Sequence, residues 1–397
     1  MNERSTKALN LHFLILEGTA TILQCVDVSF IPAILLRFQY NYAEIGILMA
    51  FAFLTTTVAK PLWGILNDRF SCARTISLLC GAGGVLGYIL LITGNGNPFL
   101  TWVSVLVTYA TSGCLVNFLD SWALRLIGEK RNLNYGTGRS FGSFTFAIFV
   151  LIFGLVISRY GYGPGIPILG VFFVPFLYAV FCLPDPKPVP VKKSDFLKDI
   201  RSLFRNPVYM LMLTALFICT LATSGFDNFY AALIRLLGGN EFHIGAALSL
   251  QAMFEVPTMF FYFRMKAHLK YSAVVFLAVS MFFYGIKLSL AGFAVNIGMI
   301  LFAMSFQCLS YALYACSLID FMLETVPREC LSTAHLLFLA VGIGLPSFLG
   351  NYADGILAEK AGVSAMFRLV SILCFVSCGI AVIAEVVRVH SSPAHKR

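Results

Sequence analysis

Long apolar runs recur along this chain, each closed by a polar break. A helix crosses the hydrocarbon core of a bilayer with about 20 apolar residues. The pattern predicts twelve such helices: Leu11–Leu36, Ala43–Leu66, Arg74–Thr93, Phe99–Ile127, Thr137–Ser158, Pro164–Leu183, Val208–Leu236, Phe242–Phe263, Ser272–Ala291, Ile297–Leu323, Leu331–Asp354 and Ser364–Val389. The first run is too long for the apolar core of a cleaved signal, so it is expected to stay as the first span. The longest break, Pro184–Pro207, falls at mid-chain and holds five Pro, six Lys/Arg and three Asp. It reads as a linker. The expected organisation is therefore a six-helix half over 1–183, a linker over 184–207 and a second six-helix half over 208–397.

The breaks alternate in charge. One set is basic: Arg4 and Lys7, Arg69 and Arg74, Arg125 to Arg131, Lys187 to Arg205, Arg264 with Lys266 and Lys270, Arg328, and Arg388 with Lys396 and Arg397. In the other set Gly94–Pro98 and Gly292–Asn296 carry no cation, and the rest carry Arg37, Arg159, Arg235 and Lys360. Cytoplasmic loops collect Lys and Arg. Both termini are thus expected in the cytoplasm, in a multi-pass protein of the cell membrane.

The halves also repeat. Asp27-Val-Ser-Phe30, Arg37 and Ile45-Gly46 return as Asp227-Asn-Phe229, Arg235 and Ile244-Gly245, offset by 198 to 200 residues. Asp120 returns as Asp320. One ordered set at one offset indicates a parallel duplication. Transporters built this way place their solute near the bilayer midplane at the repeat interface.

Composition agrees with the pattern. Apolar residues make up 59% of the chain and charged residues 12%, against about 45–50% and 25% in soluble domains. A soluble enzyme, a nucleic-acid binder and a disordered chain are excluded. The net charge of +9 is an orientation signal rather than a polyanion patch. The eleven Cys fall mostly in apolar runs without zinc-type spacing. They read as small reduced hydrophobes, and no metal is expected.

Ionisable groups inside spans are costly and usually face a cavity or a partner. Here they are Glu17, Asp27, Lys60, Asp120, Arg139, Asp227, Glu255, Lys287, Asp320 and His335. A bundle that merely filled a membrane would not carry them. Two other motifs carry no chemistry. Gly138-Arg-Ser140-Phe-Gly142 spells the serine-hydrolase elbow but opens a membrane helix instead of following a strand. Gly81-Ala-Gly83 with Gly87 has no strand before it and reads as close helix packing.

The break after the second span reads Gly64-Ile-Leu-Asn-Asp68-Arg69-Phe70. In that place it resembles the signature loop of the major facilitator superfamily, although Ser71, Cys72 and Ala73 replace the usual glycine and basic residues. The second half keeps only Arg264. The resemblance implies a gating role for Gly64, Asp68 and Arg69. A second stretch, Asp120-Ser-Trp122 followed by Tyr135-Gly136-Thr-Gly138-Arg139-Ser-Phe-Gly142-Ser143, is similar to a segment of the branch holding lactose permease, nucleoside permeases and phenylpropionate permeases. There a carboxylate in helix four and an arginine opening helix five hold the solute, and Asp120 and Arg139 match them. An arginine offers a rigid fork of donors to hydroxyls or a carboxylate, and a nearby acid neutralises it when the site is empty. Gly136, Gly138 and Gly142 are expected to let helices cross closely.

The same resemblance points to the C-terminal half. Lys287 falls near a helix-nine cation, and Glu255 near a carboxylate used for the solute. The helix-ten stretch Phe306-Gln307-Cys-Leu-Ser310 lacks the His and Glu that couple protons in lactose permease. Gln307 is a candidate solute contact. Coupling would then move to Glu255, Asp27 or Asp227. Glu255 is the first choice, since Phe254, Val256 and Pro257 give it an apolar setting that favours the neutral form of a carboxyl. A static pair with Lys287 is the alternative. Trp122, beside Asp120, is a candidate ring for stacking on a solute.

The sequence thus reads as an all-α membrane protein of twelve helices in two pseudo-symmetric halves. The expected function is proton-coupled symport of a small organic solute, such as a sugar, nucleoside or aromatic acid, with the proton as the only cofactor. The expected partners are the solute and the lipid bilayer, not nucleic acid, and the functional unit is a monomer. Efflux of drugs or metabolites is the alternative within transport. A non-transporting receptor on the same fold is the alternative outside it. An enzyme is disfavoured because no catalytic constellation survives.

Overall fold

The computed structural model describes residues 3–129, 131–187, 201–327 and 330–391. Among the described residues, twelve helical stretches are long and apolar enough to cross a membrane: Lys7–Arg37, Tyr42–Phe70, Ala73–Thr93, Pro98–Gly128, Tyr135–Tyr160, Gly165–Cys182, Pro207–Leu236, Glu241–Leu269, Ala273–Gly292, Ile297–Thr325, Thr333–Ala361 and Val363–His390. They are called spans one to twelve below. Most of the predicted linker lies outside the described residues, as do Arg328, Lys396 and Arg397.

Local chemistry sets the ends. Asn97, Asn134, Asn206 and Asn296 each accept a bond from the backbone N–H three residues on, opening spans four, five, seven and ten. This is the N-cap device that satisfies an orphan donor. Span two runs on through Asp68 and Arg69 to Phe70, so the predicted gating loop is really the last turns of a helix. Its connection to span three is only Ser71–Cys72. The apolar run stops at Leu66, but the helix does not need apolar residues to continue past it. Ser71 closes span two with φ 51°, and Lys270 closes span eight with φ 56°. The two are 199 residues apart.

Four spans are interrupted at repeat-related places. Span one breaks after Asp27 and span seven breaks between Thr223 and Phe226. Span four breaks at Thr111, and span ten passes through a tight turn at Phe306–Cys308. These breaks explain why Asp27 and Asp227 are not equivalent, despite the 200-residue offset. Asp27 precedes its break and is buried, whereas Asp227 follows its break and is exposed.

The chain forms two compact units. One comprises Met1–Asn41, Phe51–Lys192 and Gly239–Ala252. The other comprises Tyr42–Ala50, Lys193–Gly238 and Met253–Arg397. The two short exchanges use the same device. A Cβ on Gly46 would lie 2.6 Å from the Asn351 carbonyl oxygen and from Gly355 Cα. A Cβ on Gly245 would lie 2.6 Å from the Val150 carbonyl oxygen and 3.2 Å from Gly154 Cα. Span two thus meets span eleven, and span eight meets span five, backbone against backbone.

Within the first unit, Gly138 faces the Phe13 ring and Gly142 faces Glu17 and Thr21, where spans one and five cross. Gly136 takes no part in this crossing and is exposed. Gly83, Gly84 and Gly87 meet Thr111, Ser112 and Thr108 of span four. That stripe is helix packing, as its sequence setting implied. In the second unit, Tyr209, Met212, Leu216, Leu277, Met281, Phe321 and Phe338 form a continuous buried core.

Candidate functional site

The first unit gathers Glu17, Asp120, Tyr135 and Arg139. Arg139 Nε lies 3.5 Å from Asp120 Oδ1, and the Tyr135 hydroxyl donates to the same oxygen at 3.0 Å. Spans four and five supply these groups, and the Asn134 cap fixes where span five begins. The Arg139 side chain is 40% exposed and that of Asp120 23%, so the pair is not sealed inside the protein. Glu17 lies against Gly142, one turn along span five from Arg139. It is fully buried, and neither carboxylate oxygen has a hydrogen-bond partner among the described residues. The charges of Asp120 and Arg139 both act on it. Glu17 was legible as an ionisable group in a span, but nothing in the sequence tied it to Asp120 and Arg139.

Trp122 does not join this group. Its ring is 1% exposed, and its indole N–H donates to the Pro184 carbonyl at 3.0 Å. A ring sealed in this way cannot stack on a solute. It anchors the chain after span six.

The second unit brings the other predicted residues together. Lys287 Nζ donates to Gln307 Oε1 at 2.5 Å, and Gln307 Nε2 donates to Glu255 Oε1 at 2.7 Å. Lys287 is 2% exposed and stands 4.2 Å over the Phe226 ring. Asp227 and Glu255 both act on its charge. A side-chain amide suits the middle position, because its oxygen takes a proton donor and its NH2 gives one. The cation and carboxylate are thus linked through a neutral bridge.

Asp27 stands apart from both groups. One oxygen accepts from the Ser112 hydroxyl at 3.0 Å and the other has no partner among the described residues. Asp354, inside span eleven, is a similar case. It is 1% exposed, packs on Gly225, and leaves one oxygen unpartnered among the described residues.

Of the three signature residues, Asp68 holds the ion pair: Arg125 Nη1 lies 2.9 Å from its Oδ1. Arg69 lies over the Phe70 ring at 5.3 Å. Gly64 has open space where a Cβ would stand. The second half carries the same pair with its charges exchanged. Lys266, 198 residues after Asp68, binds Glu324, 199 residues after Arg125, at 2.6 Å. Lys266 also binds Asp320, which accepts from the Tyr262 hydroxyl at 2.8 Å. The reversed order of acid and base hides this copy in the sequence.

Residues 28–369 match the MFS_1-like family. A maltose permease of Geobacillus stearothermophilus is 25% identical over 339 residues, 84% of each chain. An uncharacterised transporter of Bacillus subtilis, YwbF, is 22% identical over 343 residues, covering 85% of this chain and 84% of the relative. Among solved structures, a mutant form of the nucleoside transporter NupG superposes with a TM-score of 0.82 at 12% identity, over 95% of this chain and 99% of that one. That likeness concerns the fold.

Proposed function

The chain belongs to the MFS_1-like family of major facilitator transporters, and from that premise we propose that it takes up a small organic solute together with a proton by alternating access. The observation that carries this reading is the bridged row Lys287–Gln307–Glu255, with Asp227 beside it. Lys287 is buried while Glu255 is half-buried. A charge buried in a span usually faces a cavity or a partner, and a carboxylate coupled to a lysine through an amide can exchange a proton without breaking the row.

Asp120 and Arg139 are the proposed solute contacts of the N-terminal half; Lys287 and Gln307 are those of the C-terminal half. The maltose permease and the nucleoside transporter are named for polar solutes of modest size, which supports a sugar or a nucleoside here, while an aromatic acid rests on the cations Arg139 and Lys287. The basic breaks support cytoplasmic termini and the cell membrane, and the proposed working unit is a monomer. One charge moved through 100 mV is worth about 2.3 kcal/mol, which permits roughly fiftyfold accumulation. The test is uptake into cells expressing Arg139→Lys and Asp120→Asn. Both variants are expected to reach the membrane, resist heating like the native protein, and take up nothing. Normal uptake by both refutes the assignment.

A further inference from the structure

A cavity of about 100 Å³ lies between spans two and four, lined by Lys60, Trp63, Gly64, Cys114, Asn117, Phe118 and Ser121. None of these residues belongs to the groups built around Arg139 or Lys287. The lining follows one stripe of each helix. Lys60, Trp63 and Gly64 are spaced i, i+3, i+4, and Cys114, Asn117, Phe118 and Ser121 are spaced i, i+3, i+4, i+7, so each set shares a face.

Lys60 precedes the end of span two by ten residues, or about 15 Å of helix. Its side chain is exposed, so a charged group can reach it, and a cation inside a span usually faces a cavity or a partner. No ion pair among the described residues reaches Lys60, and the titratable group acting on it is the Cys114 thiol. Asn117 and Ser121 line the cavity and are exposed, and neither side chain is engaged in a hydrogen bond among the described residues. Trp63 is engaged, because its indole N–H donates to the Ala110 carbonyl at 2.8 Å. That bond fixes the indole and leaves its ring as an apolar wall. Gly64 keeps the neighbouring space open.

We propose that this cavity holds a carboxylate carried by the transported solute, with Lys60 as its counter-ion and Asn117 and Ser121 as donors. The volume is that of about three waters, which suits a carboxylate and little more. One lysine matches one negative charge, and the ammonium, amide and hydroxyl can all donate to its two oxygens. The inference rests on the transport reading and narrows the solute class to organic acids.

The test uses purified full-length protein and two matched pairs, benzoate with benzyl alcohol and glucuronate with glucose. Thermal unfolding reports binding, and counterflow in proteoliposomes reports transport. The expected result is that an acid raises the unfolding temperature while its neutral partner does not. Lys60→Gln should weaken the acid at least tenfold, Lys60→Arg should keep it, and Gly64→Val should abolish it by filling the cavity. Equal responses to acid and neutral partner, or an undiminished acid response in Lys60→Gln, would overturn the proposal. So would the same stabilisation by inorganic phosphate alone, which would assign the cavity to a free anion. Acid binding without counterflow would sustain the cavity assignment and remove the transport reading. Counterflow of a neutral solute that Lys60→Gln leaves untouched would do the reverse.

Discussion

Gln307 accepts from Lys287 at 2.5 Å, so the one neutral side chain of the buried polar row decides how its charges are held. Its amide also donates to Glu255. Replacing it with leucine leaves the ammonium of Lys287 without this acceptor. An unsatisfied buried group costs about 1–3 kcal/mol, more when charged. Gln307→Leu is expected to lower the unfolding temperature and to slow counterflow at least tenfold. Gln307→Glu puts an acid beside the lysine and should recover the stability. Equal unfolding temperatures for native protein and Gln307→Leu would show that the bridge contributes nothing to stability.

Glu255 is the proposed proton carrier of that row. Glu255→Gln keeps a hydrogen-bonding group of the same shape and removes the exchangeable charge. Counterflow, which needs no net proton movement, should persist within a few fold. Uptake driven by a pH gradient should be lost. The paired measurement is needed because a plain folding defect would abolish both. A variant that still accumulates solute against its gradient would exclude Glu255 from coupling.

The ion pairs Asp68–Arg125 and Lys266–Glu324 occupy repeat-related places with opposite polarity. If only the bond matters, polarity is free. Asp68→Lys and Arg125→Glu should each slow transport, because each sets like charges face to face. The double variant, which copies the polarity of the second half, should recover most of the native rate. Failure of the double variant would mean that Asp68 has a second role tied to its sign.

Gly46 leaves no room for a side chain against Asn351 and Gly355. Gly46→Leu must separate span two from span eleven, and overpacking typically costs about 1–3 kcal/mol. Its repeat mate Gly245 should behave alike against Val150 and Gly154. Both variants are expected to unfold at lower temperature and transport more slowly. Native unfolding temperatures and rates in both would show that these crossings yield without cost.

Much of this was legible in the chain because membrane spans obey few rules. Length and hydropathy placed all twelve spans, since a bilayer leaves the backbone of an apolar run little alternative to the helix. Asp120 and Arg139 were legible through a motif, and Lys287, Gln307, Glu255 and Asp227 through a resemblance and through charge in an apolar run. Other features depend on three-dimensional direction. Trp122 and Asp120 are two positions apart on one helix, and only packing tells that one is sealed against Pro184 while the other meets Arg139. The offset equating Asp27 with Asp227 counts residues but does not register where each helix breaks. Lys60 was visible as a charge in span two, yet its cavity exists only because span four turns Asn117 and Ser121 toward it.

Movement of an organic solute together with a proton is tested most directly by counterflow in proteoliposomes. The panel is sugars, nucleosides and aromatic acids, each run with and without an inward proton gradient. At least one class is expected to exchange without the gradient and to accumulate only when the gradient is imposed. Binding without exchange would contradict proton-coupled transport, as would accumulation indifferent to the proton gradient.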